Sequence, residues 1–525
     1  MSTSESAPLK RQLTLLDCLG IGINGIVGSG IFFLPAALSR AAGGQAPLAW
    51  LIVGGLCCLV ALCFAEAAAR TDRSGGPYRY ACDAFGPYVG FAVGWVTLIS
   101  TLLGFAAVAR GFGITGAVLL GKGGATSLET TISCTGVGFL CLINILGVRR
   151  SARTSDVISA VKLLSLLSFV GVGLFFISMK NLTAVAQPAA GENTGLVAAA
   201  FAGLFACTGF EYIPVPAGEA KNPRRTVPQA MVASVLVTTL LYALVQIVAG
   251  GAHPGLGASK TPLADAAQHF GGNSGRVLMN VAGLISSFGF CASSALVGPR
   301  YLEAFAEDRF LPQFFRHRPA SLGTPVWAVV VLSTLVAGLM ISGLPFQDLA
   351  DVANVAVVVQ YMATCMAILV LRRKAPAGAD TFVIPLGPLV PIAALAGCCA
   401  FLRFVKAEEL KLAAIMIGIG LVIGAIWRQG IARQRTRIKM ARPEEPTGKP
   451  PGKPAGAPSS EEIRQPTGWP AQAPPTPAPR KVFPSQVSLT GGPTPFDRQW
   501  EKPSSHLVLL PEADLEAMTR ALAKS

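Results

Sequence analysis

The stretch Gly22-Ile23-Asn24-Gly25-Ile26-Val27-Gly28-Ser29-Gly30-Ile31-Phe32-Phe33 decides how the rest of the chain is read. It lies inside an apolar segment from Leu15 to Leu38, long enough to cross a bilayer as a helix. Glycines stand at 22, 25, 28 and 30, with Ser29 between the last two and Pro35 just beyond. A glycine inside a helix costs about 1 kcal/mol relative to alanine, so this cluster predicts a helix that breaks at mid-membrane. A break in lipid is tolerated only where the freed backbone groups are buried in protein or line a water-filled cavity. The second half-helix would begin at the amides of Ser29, Gly30 and Ile31 and turn its positive dipole end toward an anion. Discontinuous transporter helices hold a substrate carboxylate in that way. Two other readings stay open on these residues alone. Gly25 and Gly28 also suit close helix packing, and the spacing mimics a dinucleotide-binding fingerprint, although no strand or βαβ unit precedes it.

With 52% hydrophobic and 14% charged residues and a mean hydropathy of +0.54, the chain is a polytopic membrane protein embedded in the lipid bilayer. The polar start, Met1 to Lys10, gives no cleavable signal, so the first apolar segment is expected to remain as a helix. The net charge of +15 would suggest nucleic acid in a soluble chain. Here the basic residues flank apolar segments and read as topology control, with no nucleic-acid partner. The 12 cysteines fall mostly inside apolar runs (Cys57, Cys58, Cys63, Cys398, Cys399) without metal-ligand spacing, and read as reduced small hydrophobes.

Further segments of spanning length fall at 46–68, 86–110, 130–147, 155–178, 195–217, 227–250, 276–299, 325–343, 348–371, 384–404 and 409–427. The expectation is an all-α integral membrane protein of about twelve transmembrane helices. Lys and Arg concentrate in alternate loops: Lys10 and Arg11, Arg70 to Arg79, Arg149 to Arg153, Lys221 to Arg225, Arg300 to Arg318, Arg372 to Lys374, and Arg428 to Arg435. The other side holds only Arg40, Arg110, Lys122, Lys180, Lys260, Arg276, Arg403, Lys406 and Lys411. That asymmetry predicts both termini in the cytoplasm.

Residues 1–11 therefore read as a cytoplasmic N-terminus and 12–430 as the membrane domain. The Pro/Gly-rich segment 431–503 cannot bury enough apolar surface to order itself. Residues 504–525 place Leu515, Met518 and Leu522 at helical spacing. This is either a short amphipathic helix that docks on a protein partner, or a frayed tail.

The sixth segment is interrupted as well. Leu204-Phe-Ala-Cys-Thr-Gly-Phe-Glu-Tyr-Ile-Pro-Val-Pro216 carries Gly209, two prolines and an intramembrane acid, Glu211. Breaks in segments one and six are what two inverted five-helix repeats require, leaving two extra helices at the end. At this point the chain resembles the amino acid–polyamine–organocation superfamily of permeases. The motifs are Gly28-Ser-Gly-Ile-Phe, Gly209-Phe-Glu, Gly218-Glu-Ala-Lys-Asn-Pro-Arg-Arg-Thr-Val-Pro and Arg300-Tyr-Leu-Glu-Ala-Phe-Ala-Glu-Asp-Arg-Phe-Leu-Pro, in that order over roughly 12–430. The resemblance implies uptake or exchange of amino acids by alternating access, on the fold of the sodium-coupled neurotransmitter symporters.

An α-amino acid offers a carboxylate to the amides of Ser29, Gly30 and Ile31, and an ammonium to carbonyls of Ile26, Phe205, Ala206 and Thr208. The resemblance implies that these positions, with Gly28 and Gly209, contact substrate, and that Phe205 lids the site; packing against a neighbouring helix is the plainer reading of Phe205. Cys207, Gly209, Thr97, Phe105, Ser294, Asn354 and Gln360 would set selectivity, and since none is charged, an apolar or small neutral substrate is favoured. Glu211 either binds protons or joins a gate, or hydrogen-bonds the amides freed in segment six. Lys162 is the only lysine deep in an apolar segment, and such groups read as functional. By resemblance it takes the place of the sodium ion found in relatives, bonded to carbonyls near Gly22 to Gly25 with Ser293 or Ser294, and couples transport to protons; a static strut is the alternative.

Other function classes compete for the same residues. A membrane-embedded enzyme needs a catalytic constellation, and His253, His269, His317 and His506 are scattered over loops and tail. No cofactor or metal site is expected. A channel fits the breaks but not the order of motifs. An amino acid/polyamine exchanger, or a transporter-like nutrient sensor signalling through the tail, stays open.

Overall fold

A computed structural model describes residues 13–70, 75–146, 148–183, 194–215, 219–319, 322–374 and 381–441. The expectations for residues 1–11, for most of 431–503 and for 504–525 lie outside it. Span one consists of α1 (Leu15–Ile26) and α2 (Gly30–Ala42), and span two of α3 (Ala46–Ala69). A short helix, α4 (Pro77–Phe85), precedes span three, α5 (Pro87–Leu119). Spans four and five are α6 (Thr126–Ile145) and α7 (Val148–Gly173), followed by the one-turn helix α8 (Met179–Leu182). Span six is α9 (Leu196–Cys207) with a 3₁₀ turn at Phe210–Tyr212, and span seven is α10 (Pro223–Ala252). Then come α11 (Pro262–Glu307), α12 (Val326–Ile341), α13 (Phe346–Lys374), α14 (Leu389–Leu402) and α15 (Ala407–Ala441). Among the described residues, 8 helices are long and apolar enough to cross a bilayer, and shorter apolar helices supply α1, span six, α12 and α14. The only β-type pairing among them is one parallel bridge between Leu13 and Ala220.

Two boundaries differ from the hydropathy pattern. Within α11, Gly272 has φ 59° and ψ −152°, so residues 262–271 form a separate helix ahead of span eight. Its sequence, Ala-Asp-Ala-Ala-Gln-His, is too polar to register as a span, but it starts with Pro262 and an acid, Asp265, in its first turn. At the other end, α15 continues through Ala441, beyond the boundary expected at 430.

The packing partners reveal the repeat. Span two lies on span seven, three on eight and four on nine, and the two broken spans meet. Span five packs on one, seven and eight, while span ten packs on six, two and three. Exchanging one for six, two for seven and three for eight turns the first set of neighbours into the second. Two five-helix repeats related by a two-fold axis produce this pattern, and α14 and α15 are added to it, packing on spans two, three and ten.

At the end where Leu13 enters the bundle, the loops are tied by charge. Leu13 accepts from the Lys221 amide and donates to the Glu219 carbonyl, both at 2.9 Å. Glu219 meets Arg300 at 3.1 Å, and Arg318 holds Glu303 at 2.5 Å. Arg79 of α4 bonds Asp308 at 2.5 Å and also reaches Glu307. Glu66, fully buried at the end of α3, takes Arg372 and Arg70 and accepts the Ile384 amide at 3.0 Å. At this end the buried Glu66, Arg79, Glu219, Arg300 and Glu303 each have an opposite partner, as a low-dielectric environment favours.

Candidate functional site at the two helix breaks

Span one breaks where the glycines predict. α1 ends at Ile26, Val27 turns to ψ 88°, and α2 starts at Gly30 after a cap at Ser29 whose side chain makes no capping bond. The first amides of a helix have no partner inside it. The Phe32 amide closes on Ser29 at 3.0 Å, and among the described residues those of Ser29, Gly30 and Ile31 make no hydrogen bond. The Ser29 hydroxyl is buried beside them without a partner. Pro35, inside α2, has no amide hydrogen to give the Ile31 carbonyl. The result is a buried cluster of donors at a positive helix end, suited to one carboxylate.

Span six breaks at the same depth. α9 stops at Cys207, Thr208 is extended, and Gly209 adopts φ 117°, a left-handed conformation in which a side chain is strained. The breaks touch: a Cβ on Gly209 would lie 2.0 Å from the Gly25 carbonyl oxygen, and one on Gly30 would lie 2.7 Å from the Ala206 Cβ. Gly25, Gly30, Ala206 and Gly209 are therefore brought together by backbone approach.

Some expected acceptors are already engaged. The Ile26 carbonyl accepts the Gly28 amide at 3.0 Å and the Tyr242 hydroxyl at 3.1 Å. That of Phe205 accepts the Thr208 hydroxyl at 2.8 Å. Among the described residues the carbonyls of Ala206, Cys207 and Thr208 accept nothing, so the chain at the end of α9 offers the open acceptors for an ammonium. Cys207, read from sequence as a selectivity residue, contributes its backbone here.

Glu211 hydrogen-bonds an amide freed in span six. Its Oε2 accepts the Gly209 amide at 2.8 Å and the Tyr361 hydroxyl of α13 at 3.0 Å, pinning the freed end of span six to span ten. Phe205 packs edge-on against Phe346 with ring centroids 5.7 Å apart, and Phe33 approaches the same ring at 5.8 Å. Aromatic rings from spans one, six and ten thus gather beside the breaks.

Lys162 is fully buried on α7. Its ammonium donates to the Val27 carbonyl at 2.5 Å and the Ser286 carbonyl at 3.3 Å, and the Ser286 hydroxyl donates to the carbonyls of Val27 (3.1 Å) and Gly28 (3.0 Å). Among the described residues no carboxylate pairs with it. The expected partners near Gly22 to Gly25, with Ser293 or Ser294, are corrected. α1 runs to Ile26, and the ammonium lies beyond its end, against the Val27 carbonyl in the break and the Ser286 carbonyl of span eight. Ser293 instead reaches the Ile21 carbonyl at 3.3 Å, and Ser159 that of Gly20 at 3.0 Å.

Of the remaining selectivity candidates, Thr97 turns its hydroxyl back onto the Val93 carbonyl at 2.8 Å. Phe105 and Ser294 are fully buried, and Asn354 Oδ1 and Gln360 Nε2 are buried without a partner. Sequence reasoning missed Ser286, Tyr242 and Tyr361. Ser286 stands two helical turns before Ser293 on the same face of span eight, so the stripe was visible and only its depth was not. No group of three His, Cys, Asp or Glu among the described residues is placed to hold a metal.

The family described as amino acid permease matches residues 13–426. A serine/threonine exchanger of Bacillus subtilis is 30% identical over 433 residues, 80% of this chain and 96% of that protein. A methylthioribose transporter of the same organism is 26% identical over 439 residues, 80% of this chain and 94% of that protein. A branched-chain amino acid permease, also of Bacillus subtilis, is 26% identical over 440 residues with the same coverages. With its twelve-span helical architecture and paired breaks, the chain belongs to the amino acid permeases of the amino acid–polyamine–organocation superfamily, and is a multi-pass membrane transporter rather than an enzyme.

Proposed function

We propose that the chain carries a small neutral α-amino acid by alternating access, driven by protons. The observation that carries the binding mode is the set of unengaged amides at Ser29, Gly30 and Ile31 beside the unpartnered Ser29 hydroxyl, in a break that touches α9 at Ala206, where the carbonyls of Ala206 and Cys207 are open. A zwitterion matches that arrangement end to end. Ile26, Gly28, Thr208 and Gly209 shape the backbone around it, Phe205 covers it, and Glu211 holds span six in its broken form. The unpartnered polar atoms of Asn354 and Gln360, and the similarity to a serine/threonine exchanger, support serine and threonine as first substrates to test.

Lys162 would be the proton carrier. Its ammonium is held by the carbonyls of Val27 and Ser286, with no carboxylate partner among the described residues. Release of its proton would loosen the Val27 and Ser286 carbonyls and free span one to move. Obligatory exchange is the second reading, supported by the similarity to an exchanger. Uptake of labelled serine into proteoliposomes decides between them. Proton coupling predicts accumulation driven by an inward proton gradient and lost in Lys162→Met. Uptake that ignores the gradient, requires internal amino acid and survives Lys162→Met would establish exchange instead. The Lys/Arg bias supports both termini in the cytoplasm.

A further inference from the structure

We propose that the chain binds one anionic phospholipid in the leaflet opposite the Leu13 end, with its headgroup in a basic cavity and an acyl chain between spans five and seven. The cavity, about 320 Å³, sits where α2 and α10 end. Arg40, Lys180 and His253 line it together with Ser39, Asn181 and Gln246, and among the described residues no Asp or Glu does. A headgroup phosphate is the chemistry that such a lining recognises.

A second, separate concavity fixes the occupant as a lipid. An open groove between α7 and α10 is walled by Leu163, Leu167, Val237, Leu240, Leu241 and Leu244, with almost no polar surface. Val237, Leu240 and Leu244 form one stripe at helical spacing, and all three are exposed. Spans five and seven run toward the same end of the bundle, so this groove leads to the cavity along α10. From Val237 to His253 the helix advances about 24 Å, close to one leaflet with its headgroup layer, about 20–22 Å. The linking surface is apolar too: Phe175 and Met179 are 88% and 73% exposed just before Lys180. A soluble anion would use the cavity but not the groove, and a neutral lipid the groove but not the cavity.

Occupancy would touch the moving parts. Gln246, in the cavity wall, donates to the Pro35 carbonyl at 3.3 Å and the Ser39 hydroxyl at 3.0 Å in α2. Leu163 neighbours Lys162.

The test uses the purified full chain in detergent, titrated with phosphatidylglycerol or phosphatidylcholine of identical acyl chains, and read by native mass spectrometry and thermal shift. The expected result is one retained phosphatidylglycerol and at least tenfold tighter half-saturation than for phosphatidylcholine. Lys180→Gln, at an exposed position on a one-turn helix, should bring that preference below threefold. Leu240→Trp, which fills the groove, should abolish retention. Arg40 is left unchanged because it also holds the Gly257 carbonyl at 2.7 Å. Equal binding of both lipids overturns the proposal, as does wild-type preference in both variants. Displacement by millimolar glycerol 1-phosphate would reveal a free-anion site and overturn it as well; that arm needs only the wild type, so it decides even if a variant fails to fold.

Discussion

Gly30 stands where the two broken spans touch, and its missing side chain is what lets α2 present its first amides. A Cβ there would meet Ala206 at 2.7 Å, tighter than ordinary carbon contacts. Gly30→Leu should insert and express yet lose substrate binding by at least a hundredfold in a thermal-shift or scintillation-proximity titration. Near-normal affinity would mean that the glycines serve packing alone. This residue was legible in the sequence because a glycine cluster in an apolar run has few explanations. Lys162 was equally legible as a charge deep in a span, but its partners were not. Which carbonyls are free depends on the residue where α1 stops, and a sequence rich in glycine does not mark that stop to within a turn. The Ser286 and Ser293 hydroxyls share one face of span eight, so choosing between them requires knowing how far span five slides along it.

At the scale of the element, span six is held open by a carboxylate rather than by its prolines alone. Glu211 accepts one backbone amide and one tyrosine hydroxyl, and each such bond contributes about 1–3 kcal/mol when an ionised or buried group is involved. The amide oxygen of glutamine can accept the same two bonds. Glu211→Gln should therefore keep thermal stability within a few degrees of wild type, and Glu211→Ala should lower it clearly. Comparing their transport separates the roles. If Glu211→Gln folds normally but no longer transports, the acid titrates or gates; if both properties survive, it acts as a brace. The helix at 262–271 shows the other side of legibility. Its polar composition hid it from a hydropathy reading, and only its Pro262 and Asp265 signalled a helix start.

For the whole molecule, the twelve spans and the repeat were readable because lipid forces every crossing to be a helix of nearly fixed length. Orientation is a separate matter, argued from charge. Cysteines placed near Lys122 and Lys260 should react with an impermeant maleimide added outside intact cells, and cysteines near Arg150 and Arg373 should not; the reverse pattern would invert the topology. Truncation after Pro443 should leave folding and uptake largely intact, because a Pro/Gly-rich tail adds little packing. A truncated protein that folds but neither binds nor transports would assign the tail a function.

The parallel bridge between Leu13 and Ala220 links the start of one broken span to the exit of the other. Two backbone bonds of 2.9 Å make the halves of the machine share a handle, so a pull on the chain ahead of Leu13 is delivered to span six as directly as to span one. Anything fused or tethered at that terminus is attached to the transport cycle itself, and the length of the leash between them becomes a working part of the protein.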